Sequence, residues 1–194
     1  MSVTIRHAES DDFDRIIASV DNWWSGRQMA GMLPRLFFTH FRPWTYVAVH
    51  DEAIVGFLAG FRSQTDPSQV YCHFIGVDPG WRGRGLGEAL YQRLFVAAAT
   101  QGCHEVLAVT APTNRSSIAF HTRMGFEILP GPCASSEASF TPAYDGPGED
   151  RVRFRRLLDG SPVFSPSIEI IVSLPITIAW AFCLATDWAF PKPK

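Results

Sequence analysis

QVYCHFIGVDPGWRGRGLGEAL, residues 69–90, decides how this chain is read. The apolar run Val70 to Val77 has the length and β-branched content of a buried strand, and Asp78-Pro79-Gly80 breaks it. Arg82-Gly83-Arg84-Gly85-Leu86-Gly87 then opens a segment of helical periodicity. The order is strand, glycine-rich turn, helix. The first turn of a helix leaves backbone N–H groups without intrahelical partners and carries partial positive charge, so this turn suits a phosphate.

Spacing narrows the ligand. A dinucleotide fingerprint requires G-x-G-x-x-G, and Glu88 or Leu90 stands where the last glycine belongs. A P-loop would end in Gly-Lys-Ser/Thr, which is absent here. What remains is Arg-x-x-Gly-x-Gly at Arg82, Gly85 and Gly87 directly after a strand, or else a glycine-rich turn with no ligand. A second arrangement lies downstream: Asn114, His121 seven residues later, then Gly125-Phe126. Together these resemble the two signatures of the GNAT superfamily of N-acetyltransferases, with His121 where a tyrosine is usual.

The remaining elements follow from periodicity. Val3 and Ile5 suggest a short strand, and Phe13, Ile16, Ile17 and Val20 fall at helical spacing after the polar turn at Ser10. Met29 to Phe41 carries a second, irregular apolar stripe with Pro34 inside it. Thr45 to Val49 and Ala53 to Phe61 read as a hairpin, and Leu86, Leu90, Leu94, Ala97 and Ala98 give the next helix an inward face ending at Gly102. A strand over 105–110, a helix over 115–124 closed by Gly125, and strands over 126–129 and 151–158 complete the pattern. Residues 129–150, rich in Pro, Gly, Ser and Ala, form a long loop of the kind that serves as a lid or is disordered. The predicted order is β-α-α-β-β-β-α-β-α-β-β. The resemblance covers residues 2–158 and implies an α/β (α+β) fold, a mixed, mostly antiparallel sheet flanked by helices, in a domain of residues 1–160.

Composition restricts the function. The 194 residues are 46% hydrophobic and 13% aromatic, a globular balance large enough for one domain. The net charge of −2 and the scattered basic residues, apart from the arginines within 151–156, argue against a nucleic-acid partner. Cys72, Cys103, Cys133 and Cys183 lie far apart, which argues against zinc and redox motifs and for reduced intracellular thiols. The N-terminus lacks the pattern of a signal peptide, so a cytoplasmic location is expected. The tail, 161–194, is a hydrophobic extension. Ile170 to Thr186 runs 17 residues without a charge, interrupted by Pro175, against the roughly 20 a membrane span needs. Three readings stand: a membrane anchor, a segment packed on the domain or across a homodimer, and a disordered extension.

The resemblance implies acetyl-CoA as acyl donor, no metal, and attack by a primary amine of a small molecule or peptide. Protein N-termini or lysines as acceptors, and a non-catalytic acyl-CoA-binding module, are the alternatives. The implied cofactor contacts are Ile75, Val77, Arg82, Gly83, Arg84, Gly85, Leu86, Gly87 and Asn114, with an oxyanion donor from the backbone near Val77. Asn114 could equally be a helix N-cap. An amine of pKa about 10 must lose a proton before it attacks, and the departing thiolate must gain one. His121 is the candidate acid by its place in the motif, with a packing role as the rival reading. His73 is the candidate base, with Tyr71 or a water chain as alternatives; strict alternation would put Tyr71, His73, Ile75 and Val77 on one face of the strand. Trp23, Trp24 and Arg27, in the connection that borders the acceptor site in this family, are the candidate acceptor contacts, or tryptophans sealing the core edge.

Overall fold

The computed structural model describes residues 2–158, so every expectation about 161–194 lies outside the described residues. The strands β1 (Thr4–His7), β2 (Tyr46–His50), β3 (Ala53–Arg62), β4 (Gln69–Val77), β5 (Glu105–Thr110), β6 (Glu127–Ile128) and β9 (Val152–Leu157) form one sheet in the order β1-β2-β3-β4-β5-β9-β6. Only β4 and β5 pair in parallel; the other neighbours are antiparallel. Two short strands, β7 (Cys133–Ala134) and β8 (Ser139–Phe140), form a separate hairpin. Of the two expectations for 129–150, a lid or disorder, disorder is therefore corrected. The segment is folded on itself by that hairpin, by a Thr141–Arg151 bridge, and by Arg151, whose guanidinium forks to Asp145 at 2.6 Å and Glu149 at 2.7 Å.

Each face of the sheet has its own core. The helices α3 (Leu86–Thr100) and α4 (Arg115–Arg123) cover one face, where Leu86, Leu90, Tyr91 and Leu94 meet Leu58, Val70, Cys72, Val106 and Phe154. The helix α1 (Asp12–Trp23) and the segment after it cover the other, packing Ile16, Val20, Trp23, Phe37 and Phe38 on Val47, Phe57 and Ala59. The predicted second helix over 29–41 shrinks to a 3-10 turn at Ala30–Met32 and one helical turn, α2 (Leu36–Thr39). Pro34 supplies no N–H in the middle of the stripe, and its Phe37, Phe38 and Phe41 side chains pack without a continuous helix. Gly102 and Gly125 do end their helices, with φ of 75° and 79°.

The start of α1 is held by Asp12, 2% exposed, which accepts from Arg6 at 2.6 and 2.9 Å and from the Glu9 N–H at 2.8 Å. Burial works against its ionised form, but the Arg6 guanidinium and the Glu9 N–H hold its pKa below the ordinary carboxylate value.

Candidate active site

The centre of the molecule is a place where the sheet opens. Pairing of β4 with β5 runs from Gln69–Glu105 to Cys72–Ala108 and stops. On the outer sides both strands continue, β4 against β3 to Val77 and β5 against β9 to Thr110. Beyond Cys72 and Ala108 the two parallel strands form the arms of a wedge, and no ladder bond joins them among the described residues. Backbone groups of residues 73–77 that would meet β5 in a regular sheet face this opening. Openings at the carboxyl ends of parallel strands are where α/β sheets bind ligands.

A bulge beside the wedge decides which side chains meet. Ala59 pairs with Phe74 and Gly60 with Cys72, so His73 is the extra residue. The expected single face for Tyr71, His73, Ile75 and Val77 is thereby corrected. Tyr71 packs against Phe61 and His73 stacks on Phe37 at 4.6 Å, on the α1 side, whereas Ile75 and Val77 join Cys72 on the α3 side. An inserted residue reverses the alternation. Gly60 permits this geometry, since a Cβ there would lie 2.8 Å from the Tyr71 carbonyl oxygen.

Below the Val77 arm the chain turns into α3. The Asp78 carboxylate accepts the Gly80 N–H at 2.7 Å, and Arg82 donates to the Val77 carbonyl at 3.0 Å and to the Trp23 carbonyl at 2.5 Å. Arg82 therefore ties the turn to β4 and to the end of α1. Arg84 lies over the Trp81 ring at 4.7 Å. Gly83 and Gly85 adopt φ of 73° and 79°, which glycine takes at little cost, and Gly85 is the N-cap of α3 without a side-chain cap bond. The loop is exposed from Arg82 to Gly85, while Leu86 is buried and offers a ligand only its backbone. Gly87 lets α4 approach, because a Cβ there would stand 3.1 Å from Phe120. Asn114 is the N-cap of α4: its Oδ1 accepts from the Ser117 N–H at 3.2 Å and the Ser116 hydroxyl at 3.0 Å. Only its amide N–H2 remains for a ligand.

His121 is 3% exposed, with both ring nitrogens engaged. Nδ1 lies 2.8 Å from the Ser117 carbonyl, which can only accept, so Nδ1 carries the proton. Nε2 then accepts from the Tyr91 hydroxyl at 2.8 Å. The ring stacks on Phe154 at 4.6 Å. Burial lowers the His121 pKa, which keeps the ring neutral, and pushes the Cys72 thiol up to about 12. A neutral imidazole whose lone pair is already taken is poorly set to give a proton to a thiolate. The geometry favours the packing reading over the acid expected from the motif. Tyr71 has its pKa raised by burial and then by Asp145, so it stays a phenol that can donate a proton and cannot serve as a base. His73 Nε2 lies 2.8 Å from the Met32 carbonyl, which leaves Nδ1 with a lone pair when the ring is neutral.

Removing the Tyr91 hydroxyl tests the His121 assignment. Tyr91→Phe leaves a buried nitrogen unpaired and should cost about 1–3 kcal/mol, read as a lower melting temperature, with kcat unchanged. A fall in kcat without a fall in stability would restore His121 to the chemistry. The pH dependence has a definite sign. His121 titrates lower in the folded chain, so its stability contribution is complete above the unfolded imidazole pKa of about 6.5 and is lost as pH falls through the folded value. The melting temperature should decline on acidification from neutrality, and part of that slope should vanish in His121→Gln.

The expected acceptor contacts divide. Trp23 is 5% exposed and packs on Phe57, so it belongs to the core. Trp24 lies 5.2 Å from Phe74 and crosses β4 at Gly76, where a Cβ would come within 2.7 Å of its ring. Arg27, beyond Ser25 and Gly26, is exposed. On the β5 side, a cavity of about 640 Å³ is bounded by Pro112, Thr113, Arg115, Phe140, Asp150 and Arg151 among others.

The sequence profile of the Acetyltransferase (GNAT) family matches residues 6–126, more than half of the chain. The chain belongs to the GNAT family. Among GNAT relatives, L-2,4-diaminobutyric acid acetyltransferase of Nocardia farcinica is 37% identical over 75 residues, 39% of each chain. The L-methionine sulfoximine/L-methionine sulfone acetyltransferase of Pseudomonas aeruginosa is 39% identical over 69 residues, 36% of this chain and 37% of the other. The matched stretches thus span under two-fifths of these relatives. Diaminobutyrate acetyltransferase of Paenibacillus lautus, solved with L-2,4-diaminobutyric acid and coenzyme A, shares the fold with a TM-score of 0.60 at 20% identity, covering 84% of this chain and 96% of that one.

Sequence reasoning missed several residues of this GNAT site. Gly76 carried a readable signal, since an isolated glycine inside an apolar strand marks a close approach. Tyr91 carried none, because its hydrogen bond to His121 joins positions on different elements. Among the described residues no three of His, Cys, Asp and Glu group as a metal site, and no helix is long and apolar enough to cross a membrane.

Proposed function

We infer that the chain transfers the acetyl group of acetyl-CoA to the primary amine of a small, amino-acid-like acceptor. The observation that carries this reading is the wedge between β4 and β5, with an exposed, positive-φ glycine turn at one arm. Its parts fit the donor. Backbone N–H groups from Gly83 to Gly87 suit a pyrophosphate, and the unpaired edges of the wedge suit an extended arm bearing amides, which adds between strands as a further strand would. Ile75 and Val77 would flank that arm, Asn114 would reach it through its amide, and Arg82 and Arg84 would frame the turn.

Acetyl-CoA supplies an activated thioester. The chain's part is to hold the thioester carbonyl against a β4 backbone N–H near Val77 and to take a proton from the acceptor ammonium. His73 fits the second task through Nδ1, with Tyr71 as the neighbouring donor. That the relatives above are named for L-2,4-diaminobutyric acid and for L-methionine sulfoximine and sulfone favours a small acceptor over a protein N-terminus or lysine.

The test is thiol release from acetyl-CoA with a panel of primary amines that includes L-2,4-diaminobutyric acid, L-methionine sulfoximine and a lysine peptide. Turnover with an amino acid supports the reading. Tight CoA binding with no thiol release from any amine would make the chain a binding module instead.

A further inference from the structure

Asp21 breaks a local rule. It sits in the last turn of α1, where a carboxylate opposes the helix dipole, and no basic residue in that turn offsets it. Residues that violate local preference usually answer a need elsewhere in the fold. Here the need is visible in the hydrogen bonds. Asp21 Oδ1 accepts the N–H groups of both Met29, at 2.7 Å, and Ala30, at 2.8 Å. Its main-chain carbonyl accepts from Trp24 at 3.2 Å and Gly26 at 2.9 Å. One residue thus closes the whole connection from Trp24 to Ala30, which passes through Ser25 and Gly26 at φ of 58° and 80°.

That connection is the α1-side wall of the site. At its near end Trp24 lies on Gly76 and Phe74 of the open β4 arm, and at its far end the Met32 carbonyl accepts from His73 at the bulge. Between these anchors the remaining bonds are short-range turns, Ser25 to the Asn22 carbonyl at 3.1 Å and Arg27 to the Trp24 carbonyl at 3.3 Å, whereas the Asp21 carboxylate reaches from α1 to the far end of the loop at Met29 and Ala30. We propose that Asp21 is a positioning residue for the acceptor: its carboxylate staples the loop that carries Trp24 and Arg27, and so sets acceptor affinity without touching the acetyl-CoA side. This rests on the acetyltransferase reading above.

Two measurements on the full chain decide it. Asp21→Ala should raise the KM for L-2,4-diaminobutyric acid, or for whichever panel amine the wild type turns over best, by about tenfold or more, with the acetyl-CoA KM held within about twofold. Asp21→Asn keeps an oxygen acceptor in place and should recover most of the loss. Equal shifts in both KM values, or no rescue by Asn, would overturn the positioning role in favour of a general fold defect. The second measurement is hydrogen exchange, which does not depend on turnover. Amides of residues 25–32 should exchange faster in Asp21→Ala while those of β4 and α3 keep their protection; unchanged protection over 25–32 overturns the staple. Should the wild type acetylate no amine, the acetyltransferase reading fails and takes the acceptor role with it, while the exchange result still decides the staple.

Discussion

Gly85→Glu is expected to weaken acetyl-CoA binding by at least about a hundredfold, roughly 2.7 kcal/mol, in a chain that still folds. Gly85 holds φ of 79° at the uncapped start of α3, on an exposed loop. A glutamate there places a side chain and a negative charge where a pyrophosphate must meet backbone N–H groups. The fold should survive for two reasons. The loop lies outside both cores, and a carboxylate near a helix N-terminus recovers part of the strain of a non-glycine residue at positive φ. Titration of acetyl-CoA against a variant with native circular dichroism reads the result. Unchanged affinity in that folded variant would remove the assignment of residues 82–87 to the cofactor.

The second large effect concerns the bulge. His73→Gln should lower kcat/KM by about a hundredfold or more with the melting temperature nearly unchanged, because the stem is kept and the proposed base is lost. Gly60→Val should lower both. Its Cβ would press within 2.8 Å of the Tyr71 carbonyl and 3.3 Å of the Trp44 carbonyl, both backbone atoms that cannot rotate away. Overpacking of this kind costs about 1–3 kcal/mol, and at about 2–4 °C per kcal/mol for a chain of this size the melting temperature should drop by several degrees. Closing or shifting the bulge moves His73, and a displacement of about 1 Å at a reacting group can cost a hundredfold in rate. A stable, fully active Gly60→Val chain would show that the bulge does not place the base.

The sequence alone determined the fold class, the order of the major elements and the glycine-rich turn before α3. These features are written in local signals. An apolar strand broken by Asp78-Pro79-Gly80 and followed by glycines at fixed spacing leaves few options for the backbone, and Gly102 and Gly125 mark helix ends because positive φ favours glycine. What needed the tertiary structure was every feature set by a partner on another element. Alternation along β4 placed His73 with Ile75 and Val77, but the bulge depends on Gly60 of the neighbouring strand, and no pattern within β4 encodes it. The motif offered His121 as an acid, yet Tyr91 on α3 and the Ser117 carbonyl take both of its nitrogens, a pairing between helices that no single-segment periodicity reports. Trp23 and Trp24 are adjacent in sequence and look equivalent there. One enters the core beside Phe57 and the other crosses the site at Gly76, because consecutive residues at the end of a helix point about 100° apart and only packing against the sheet decides which is covered.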